Sequence, residues 1–510
     1  MLRFKLSKTF VTILVLLLFF SFISFNFPLT GDDLNWGLVK LSRYFSSDQI
    51  TNYDGRYLGN TSIILASKYP LLRITAYAIS STLLVILSAK LINTKHWTNY
   101  AWPIFILLLT IPSSLFTQTF GWNSGFFNYV VGMLYPLYFA ILLRDSSFAK
   151  QSINSFNYFI IAIGSILSCF FVEHVTLMNL LISIFSTYYI HKKPTEKGGW
   201  IYINLFGTLI GSFLMFSNLS YFNLLKNNNS QYRSTSLSFN SIYHIISEKI
   251  DFYVLINNKL LTTLLALLIL YIATKRFFSS PLHFVRILSF IEILVSLLFW
   301  VFHYLVFNTF FQTFRYRYFI SLILTFFFLA ILSYEILYLA VTKQQFTLAY
   351  CLIGTFVLIS PFLIVTPFGP RGAFGSTICL IILTICSYSI VINDFPQIFK
   401  PIILILTMMV IAFYGVLSSE IGYANRLKLD FINYQISNKK DSKKTLYLQV
   451  PYEVYYWSVH PQDDDPAYRE FYHVRQLQGK LIPYNEWKSI MKNNSRQHGY
   501  HLLIEKFQVK

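Results

Sequence analysis

The stretch FVTILVLLLFFSFISFNFPL, residues 10–29, followed by Thr30-Gly31-Asp32-Asp33-Leu34-Asn35-Trp36, decides the fold. A near-continuous apolar run of this length spans a hydrocarbon core as one helix. The carboxylate pair marks where that span must stop, because charge is costly inside a bilayer. Arg3, Lys5 and Lys8 precede the run, and the positive-inside bias places that end in the cytoplasm. No small-x-small cleavage site closes it, so it reads as a retained signal anchor rather than a secretory leader. The Asp pair then emerges on the outer face. Beyond it, Leu34, Leu38, Leu41 and Phe45 form one apolar stripe while Asp33, Lys40, Arg43 and Ser47 lie elsewhere. That pattern predicts an amphipathic helix over about 33–47, lying on the membrane surface.

Working outward, further apolar runs recur at 71–92, 100–117, 128–143, 157–172, 175–190, 200–219, 255–273, 284–306, 318–340, 346–366, 374–392 and 401–418. Hydrophobic residues make up 55% of the chain and charged ones 12%, which removes the soluble multidomain classes. The expected fold is an all-α polytopic membrane protein with about 11–13 transmembrane helices over residues 1–418. The formal charge of +19 does not point to nucleic acid, because much of the Lys and Arg sits in short loops where it sets orientation. Residues 419–510 are soluble in character. Thr445 to Val450 alternates as a strand does, and Pro466 to Tyr472 opens as a helix does. A small extracytoplasmic α/β region is therefore expected at the C-terminus, in a protein of the plasma membrane with its N-terminus cytoplasmic. Cys169, Cys351, Cys379 and Cys386 fall in or beside apolar runs without metal-ligand spacing and are assigned to packing.

Ionisable residues at the outer ends of spans are the candidates for chemistry. Of the pair Asp32 and Asp33, one carboxylate accepts a proton from an incoming hydroxyl, positions it, or binds a divalent cation such as Mg2+ or Mn2+; the competing reading is a helix N-cap. Glu173 and His174 stand at a tight turn between two spans, as a site or simply as polar residues topping two helices. Arg371, in Pro370-Arg371-Gly372, is a cation where orientation needs none, and its planar fork of donors suits a lipid phosphate. Arg315 and Arg317 share that side and either join it or meet headgroups. Trp122, Asn123 and the Tyr53–Arg56 stretch have the groups to stack on and hydrogen-bond a sugar, or form an aromatic belt. Asp463-Asp464-Asp465 lacks an EF-hand spacing and reads as a solvated loop. There is no Walker A, dinucleotide, HExxH or GxSxG motif.

Gly31-Asp32-Asp33, Asp54-Gly55-Arg56-Tyr57-Leu58-Gly59, Glu173-His174 and Pro370-Arg371-Gly372-Ala373-Phe374, on this multi-span layout, resemble the C-type integral-membrane glycosyltransferases. More narrowly, they resemble a bacterial multi-span family with an outer-loop Asp-Asp motif. The resemblance implies a sugar carried on a polyprenyl phosphate and delivered to an envelope glycopolymer or glycolipid. Asp32 or Asp33 would then serve as base or metal ligand, Glu173 as a second acid, and Arg371 would neutralise the leaving phosphate. Two other classes stand beside it: a transporter or flippase of a lipid-linked glycan, and a non-catalytic envelope-assembly protein. A transporter calls for charged or broken sites near mid-span. Here the ionisable residues cluster at the outer ends of spans instead, with Glu292 and Glu335 the main exceptions, which favours a surface-facing site over a through-path.

Overall fold

The computed structural model describes residues 7–46, 50, 53–147, 153–192, 198–227, 234–236, 238–306, 317–393, 395–437, 445–458 and 465–507. Arg315, Asp463 and Asp464 lie outside the described residues.

The first span shows why the chain is a membrane protein. Its helix runs Lys8–Asn26, capped by Ser7, whose hydroxyl accepts from Phe10 N at 3.2 Å. Leu16, Phe19, Phe20 and Ile23 are buried on one side, while Phe10, Leu14, Leu18, Phe22 and Phe25 stay exposed on the other. A helix apolar on both faces needs a protein on one side and lipid on the other. Among the described residues, ten helices are long and apolar enough to cross a membrane. The expected count of about 11–13 is not reached, because Trp97–Leu109 and Ser155–Phe170 are shorter apolar helices. The 20-residue Glu173–Lys192 helix begins on Glu173 and His174, ends on His191 and Lys192, and is not among the ten.

At the centre stands the Phe374–Val391 helix, buried without interruption from Phe374 to Ser387. It packs against the Phe346–Val357, Trp97–Leu109, Pro70–Ile92 and Lys259–Ser279 helices. The first span meets Pro70–Ile92 and Lys400–Ser437, and its Phe19 packs edge to face on Phe105 of the Trp97–Leu109 helix at 5.0 Å. Such ring pairs add about 0.5–1.5 kcal/mol each beyond their buried area.

The last long helix, Lys400–Ser437, has 38 residues, roughly 57 Å at 1.5 Å per residue. That exceeds a hydrocarbon core of about 30 Å, so it continues past residue 418 and carries the C-terminal segment. Strand Thr445–Leu448 pairs in parallel with Leu477–Ile482, and Gln435 bonds both the N–H and the carbonyl of Leu446. Asp465 caps the Pro466–Tyr472 helix by accepting from Ala467 N at 3.0 Å. This segment lies on the end of the bundle that bears the Asp pair: Leu34 is buried among Ile432, Tyr447, Tyr468 and Val474.

The surface helix over 33–47 is corrected by the structure into two pieces, Asp32–Leu38 and Leu41–Ser46. Val39 is extended (φ −68°, ψ 121°), and its freed carbonyl is taken by the Lys68 ammonium. Of the expected stripe Leu34 is buried, Leu38 and Leu41 are half-buried and Phe45 is exposed, while Asp33 and Tyr44, off the stripe, are buried.

Candidate functional site

Gly31 starts the site. Its φ of 54° is a left-handed value that favours glycine, and it turns the chain so that Asp32 and Asp33 occupy the first turn of the next helix. The N-cap position is therefore Gly31, not either aspartate. Neighbours on a helix point about 100° apart, and the two carboxylates go separate ways. Asp33 is fully buried. Its Oδ1 accepts from Ser124 N at 2.9 Å and from Ser124 Oγ at 2.5 Å, while Oδ2 is buried with no hydrogen-bond partner. Burial pushes this carboxyl up to about 7, against the Ser124 bonds and the nearby Arg73 charge, which lower it. Asp32 is exposed. Close packing around it raises its carboxyl, and the positive charge of Arg371 opposes that rise.

Arg371 sits on the short Pro370–Ala373 turn that opens the central helix. Its guanidinium lies 5.1 Å from the Trp122 ring and 5.9 Å from the Tyr129 ring, a cation–π cradle. Among the described residues it makes no hydrogen bond or ion pair, so its fork of donors is open. Trp122 is itself stacked on Trp457 at 5.3 Å, and Trp457 N donates to Gly121 O at 3.0 Å. The C-terminal segment thus holds the turn that holds Arg371. Asn123 donates to Ser67 Oγ at 3.2 Å, and its own Oδ1 is buried without a donor.

Arg56 and Glu173 form a clamp beside Tyr129. Arg56 Nε and Nη2 donate to Glu173 Oε1 and Oε2 at 3.3 and 2.9 Å, and Tyr221 OH donates to Oε1 at 2.6 Å. Burial would lower the guanidinium, but the Glu173 carboxylate holds it well above the ordinary arginine range. Arg56 also stands 5.9 Å from the Tyr129 ring, so Tyr129 is shared by both arginines. His174 is buried, stacked on Tyr129 at 5.7 Å and against Phe362 at 5.1 Å. Both oxygens of Glu173 are thus engaged, and His174 is covered by rings.

The structure brings Asp32, Asp33, Arg56, Trp122, Asn123, Glu173, His174 and Arg371 to one end of the bundle. Arg317 does not belong to this network in the described residues: it donates to Tyr318 OH at 2.9 Å. Sequence reasoning missed Ser124, Tyr129, Tyr221 and Arg73. Only Arg73 carried a signal, a charge inside the apolar run Pro70-Leu71-Leu72-Arg73-Ile74. For a divalent cation the donors do not converge. Asp33 is turned onto Ser124, and no group of three His, Cys, Asp or Glu forms a metal-holding cluster among the described residues. No step is assigned to a metal.

No family model, curated protein or solved structure matches the chain.

Proposed function

We propose that the chain is a C-type membrane glycosyltransferase that moves a sugar from a polyprenyl phosphate to an envelope glycopolymer or glycolipid. In this reading it works at the outer face of the plasma membrane, with a cytoplasmic N-terminus and an extracytoplasmic C-terminal region. The observation that carries the reading is Arg371, a stacked guanidinium with open donors beside an exposed carboxylate. Arginine matches phosphate oxygens two at a time. A sugar–phosphate leaving group develops negative charge as its bond breaks, and a preorganised cation stabilises that charge more than it stabilises the ground state.

The step divides as follows. The acceptor hydroxyl gives its proton to Asp32 while its oxygen attacks the anomeric carbon. The bond from that carbon to the phosphate oxygen breaks, and the electron pair leaves with the phosphate, held by Arg371. Asp33 is a positioning residue: it bonds the backbone and side chain of Ser124 and so sets the Trp122-Asn123 turn. Glu173 and Arg56 hold Tyr129 and its neighbours in place rather than exchanging protons. An apolar cavity of about 390 Å³ between the Glu173–Lys192 and Phe346–Val357 helices, lined by Met178, Leu181, Phe185, Phe346 and Ile353, suits an isoprenoid chain. Met178 lies one helical turn below His174, which places the cavity beneath the polar site.

The test compares envelope glycans from cells carrying wild type, a deletion, Asp32→Asn and Arg371→Ala at matched membrane levels. Loss of one sugar substituent in all three altered strains is expected. Loss in the deletion alone removes the roles given to Asp32 and Arg371.

A further inference from the structure

Away from that site, three side chains form a hydrogen-bonded row inside the bundle. Asp251 lies on the Ile245–Ile256 π-helix, Ser321 on the Arg317–Thr342 helix and His303 on the Phe302–Val306 π-helical turn. They are 2%, 0% and 0% exposed. Ser321 Oγ is 2.6 Å from Asp251 Oδ2 and 2.8 Å from His303 Nε2. His303 Nδ1 is 2.8 Å from the Phe299 carbonyl oxygen, and Thr325 Oγ1 donates to Asp251 Oδ1 at 2.8 Å.

Counting hydrogens decides the charge state. A carbonyl only accepts, so Nδ1 of His303 carries a hydrogen. Two contacts remain on Ser321, whose hydroxyl supplies one hydrogen. The second contact needs another, which resides either on the Asp251 carboxyl or on His303 Nε2. Without it, two lone pairs face each other in a site sealed from water, a costly arrangement.

We infer that Asp251, Ser321 and His303 form a proton-binding site that holds one proton at neutral pH and passes it between carboxylate and imidazole through the Ser321 hydroxyl. In one form Asp251 is a carboxylic acid donating to Ser321, which donates to neutral His303. In the other, Ser321 donates to the Asp251 carboxylate and His303 is an imidazolium. Each form satisfies these described contacts and carries no net charge.

The surroundings agree. On its own segment Glu248 is exposed and paired with His244, and Lys249 is half-buried. Lys259 is exposed at the start of the next span, Arg317 donates to Tyr318, and Arg371 lies on Trp122 and Tyr129. Tyr304 is the titratable neighbour that the Asp251 charge reaches. Among the described residues no cation outside the row sits against Asp251, so its charge is balanced within the row, by a proton on its own carboxyl or by the His303 imidazolium. Both ends of the row lie on π-helical segments, which occur preferentially at functional positions. Two residues along, Tyr253 packs on Phe368 at 5.9 Å, Phe368 on Phe362 at 4.8 Å and Phe362 on His174. The row therefore borders the aromatic ladder behind the Arg371 turn.

The test uses the full chain in lipid nanodiscs at pH 7. Infrared difference spectra of wild type against Asp251→Asn read the carbonyl stretch of a protonated carboxyl. Nitrogen NMR of labelled histidine against His303→Gln reads an imidazolium. The expected result is one proton: an acid band lost in D251N, or an imidazolium signal lost in H303Q, with total occupancy of one. Absence of both signatures, or full occupancy of both, overturns the site. Should either variant fail to fold, Ser321→Ala removes a single oxygen. The wild-type signature must then shift, and an unchanged spectrum overturns the proposal equally.

Discussion

Ser124 donates twice to one oxygen of Asp33 and leaves the other buried without a donor. A carboxyl held near pH 7 in the folded chain and near 3.8 in an open one gives stability a defined pH dependence. Below about pH 4 both states hold the proton and the group contributes nothing. From there to about pH 7 the unfolded chain has released its proton and the folded chain has not, so stability falls as pH rises. Above pH 7 the loss is complete, on the order of 4 kcal/mol. Asp33→Asn keeps an acceptor for Ser124 and carries no charge. Thermal unfolding in detergent is expected to show the variant matching wild type at pH 4 and exceeding it at pH 8. Parallel curves would remove the buried-carboxyl account. Asp32, one residue earlier and exposed, is expected to behave in the opposite manner. If the chain is the proposed transferase, Asp32→Asn is expected to lower sugar transfer by about 10²- to 10⁴-fold, the range for loss of a general base, with little change in stability. Asp33→Asn stays within roughly tenfold of wild type in the same assay, about 1.4 kcal/mol in barrier. Equal losses in both would mean that the two acids share one role.

Two helix starts meet at the Arg56–Glu173 clamp, the Tyr57–Lys68 helix and the Glu173–Lys192 helix. Both side chains are mostly buried, 16% and 19% exposed, so removing one partner strands the other, at a cost of about 3–5 kcal/mol. Glu173→Ala and Arg56→Ala should each lower the melting temperature, and the double variant should lose less than the sum, measured as a double-mutant cycle. Strict additivity would mean that the clamp does not couple the helices. The same junction relies on close backbone approach. A Cβ at Gly125 would meet the Gln118 carbonyl oxygen at 2.0 Å and one at Gly59 the Asn128 amide oxygen at 2.1 Å. The Gln118 obstacle is backbone and has no rotamer by which to escape. Gly125→Ala is thus expected to shift the Trp122 turn and cost about 1–3 kcal/mol, the range for overpacking. Melting curves beside glycan transfer would show both losses together.

Apolar spans and the charges at their ends were legible from the sequence because hydropathy and the cost of burying charge act locally along the chain. Glu173, Arg371 and the Asp pair stood out as ions where ions are expensive. What was not legible was pairing. Nothing local says that Arg56 closes on Glu173, that Tyr129 lies under two guanidinium groups, or that Trp457 supports Trp122 from the C-terminal segment. Those contacts join positions from 73 apart, Arg56 and Tyr129, to 335 apart, Trp122 and Trp457. Nor does a periodic stripe reveal that Lys68 takes the Val39 carbonyl and splits the surface helix in two.

Glu292 and Glu335 are buried carboxylates far from the Asp-pair end of the bundle. They are 2% and 1% exposed and share Arg276, which donates to Glu292 at 3.2 and 3.3 Å and also to Glu335. Arg276 lies in the last turn of a helix whose first turn, beside Asn257 and Ser114, is at the Asp-pair end. Seventeen residues of helix put the triad roughly 26 Å from that end. A surface transferase has no chemical use for ions there, whereas a carrier that moves a charged headgroup through the bundle does. Arg276→Met alone should destabilise the protein by about 3–5 kcal/mol, since it leaves two buried carboxylates unpaired. The triple replacement Arg276→Met, Glu292→Leu, Glu335→Leu removes every charge at once and is expected to recover most of that loss. Its activity then separates the classes. A transferase retains sugar transfer from externally supplied lipid-linked donor, and cells keep the substituent. A flippase retains its fold but no longer delivers lipid-linked sugar to the outer leaflet, so the substituent disappears and lipid-linked donor supplied from outside restores it.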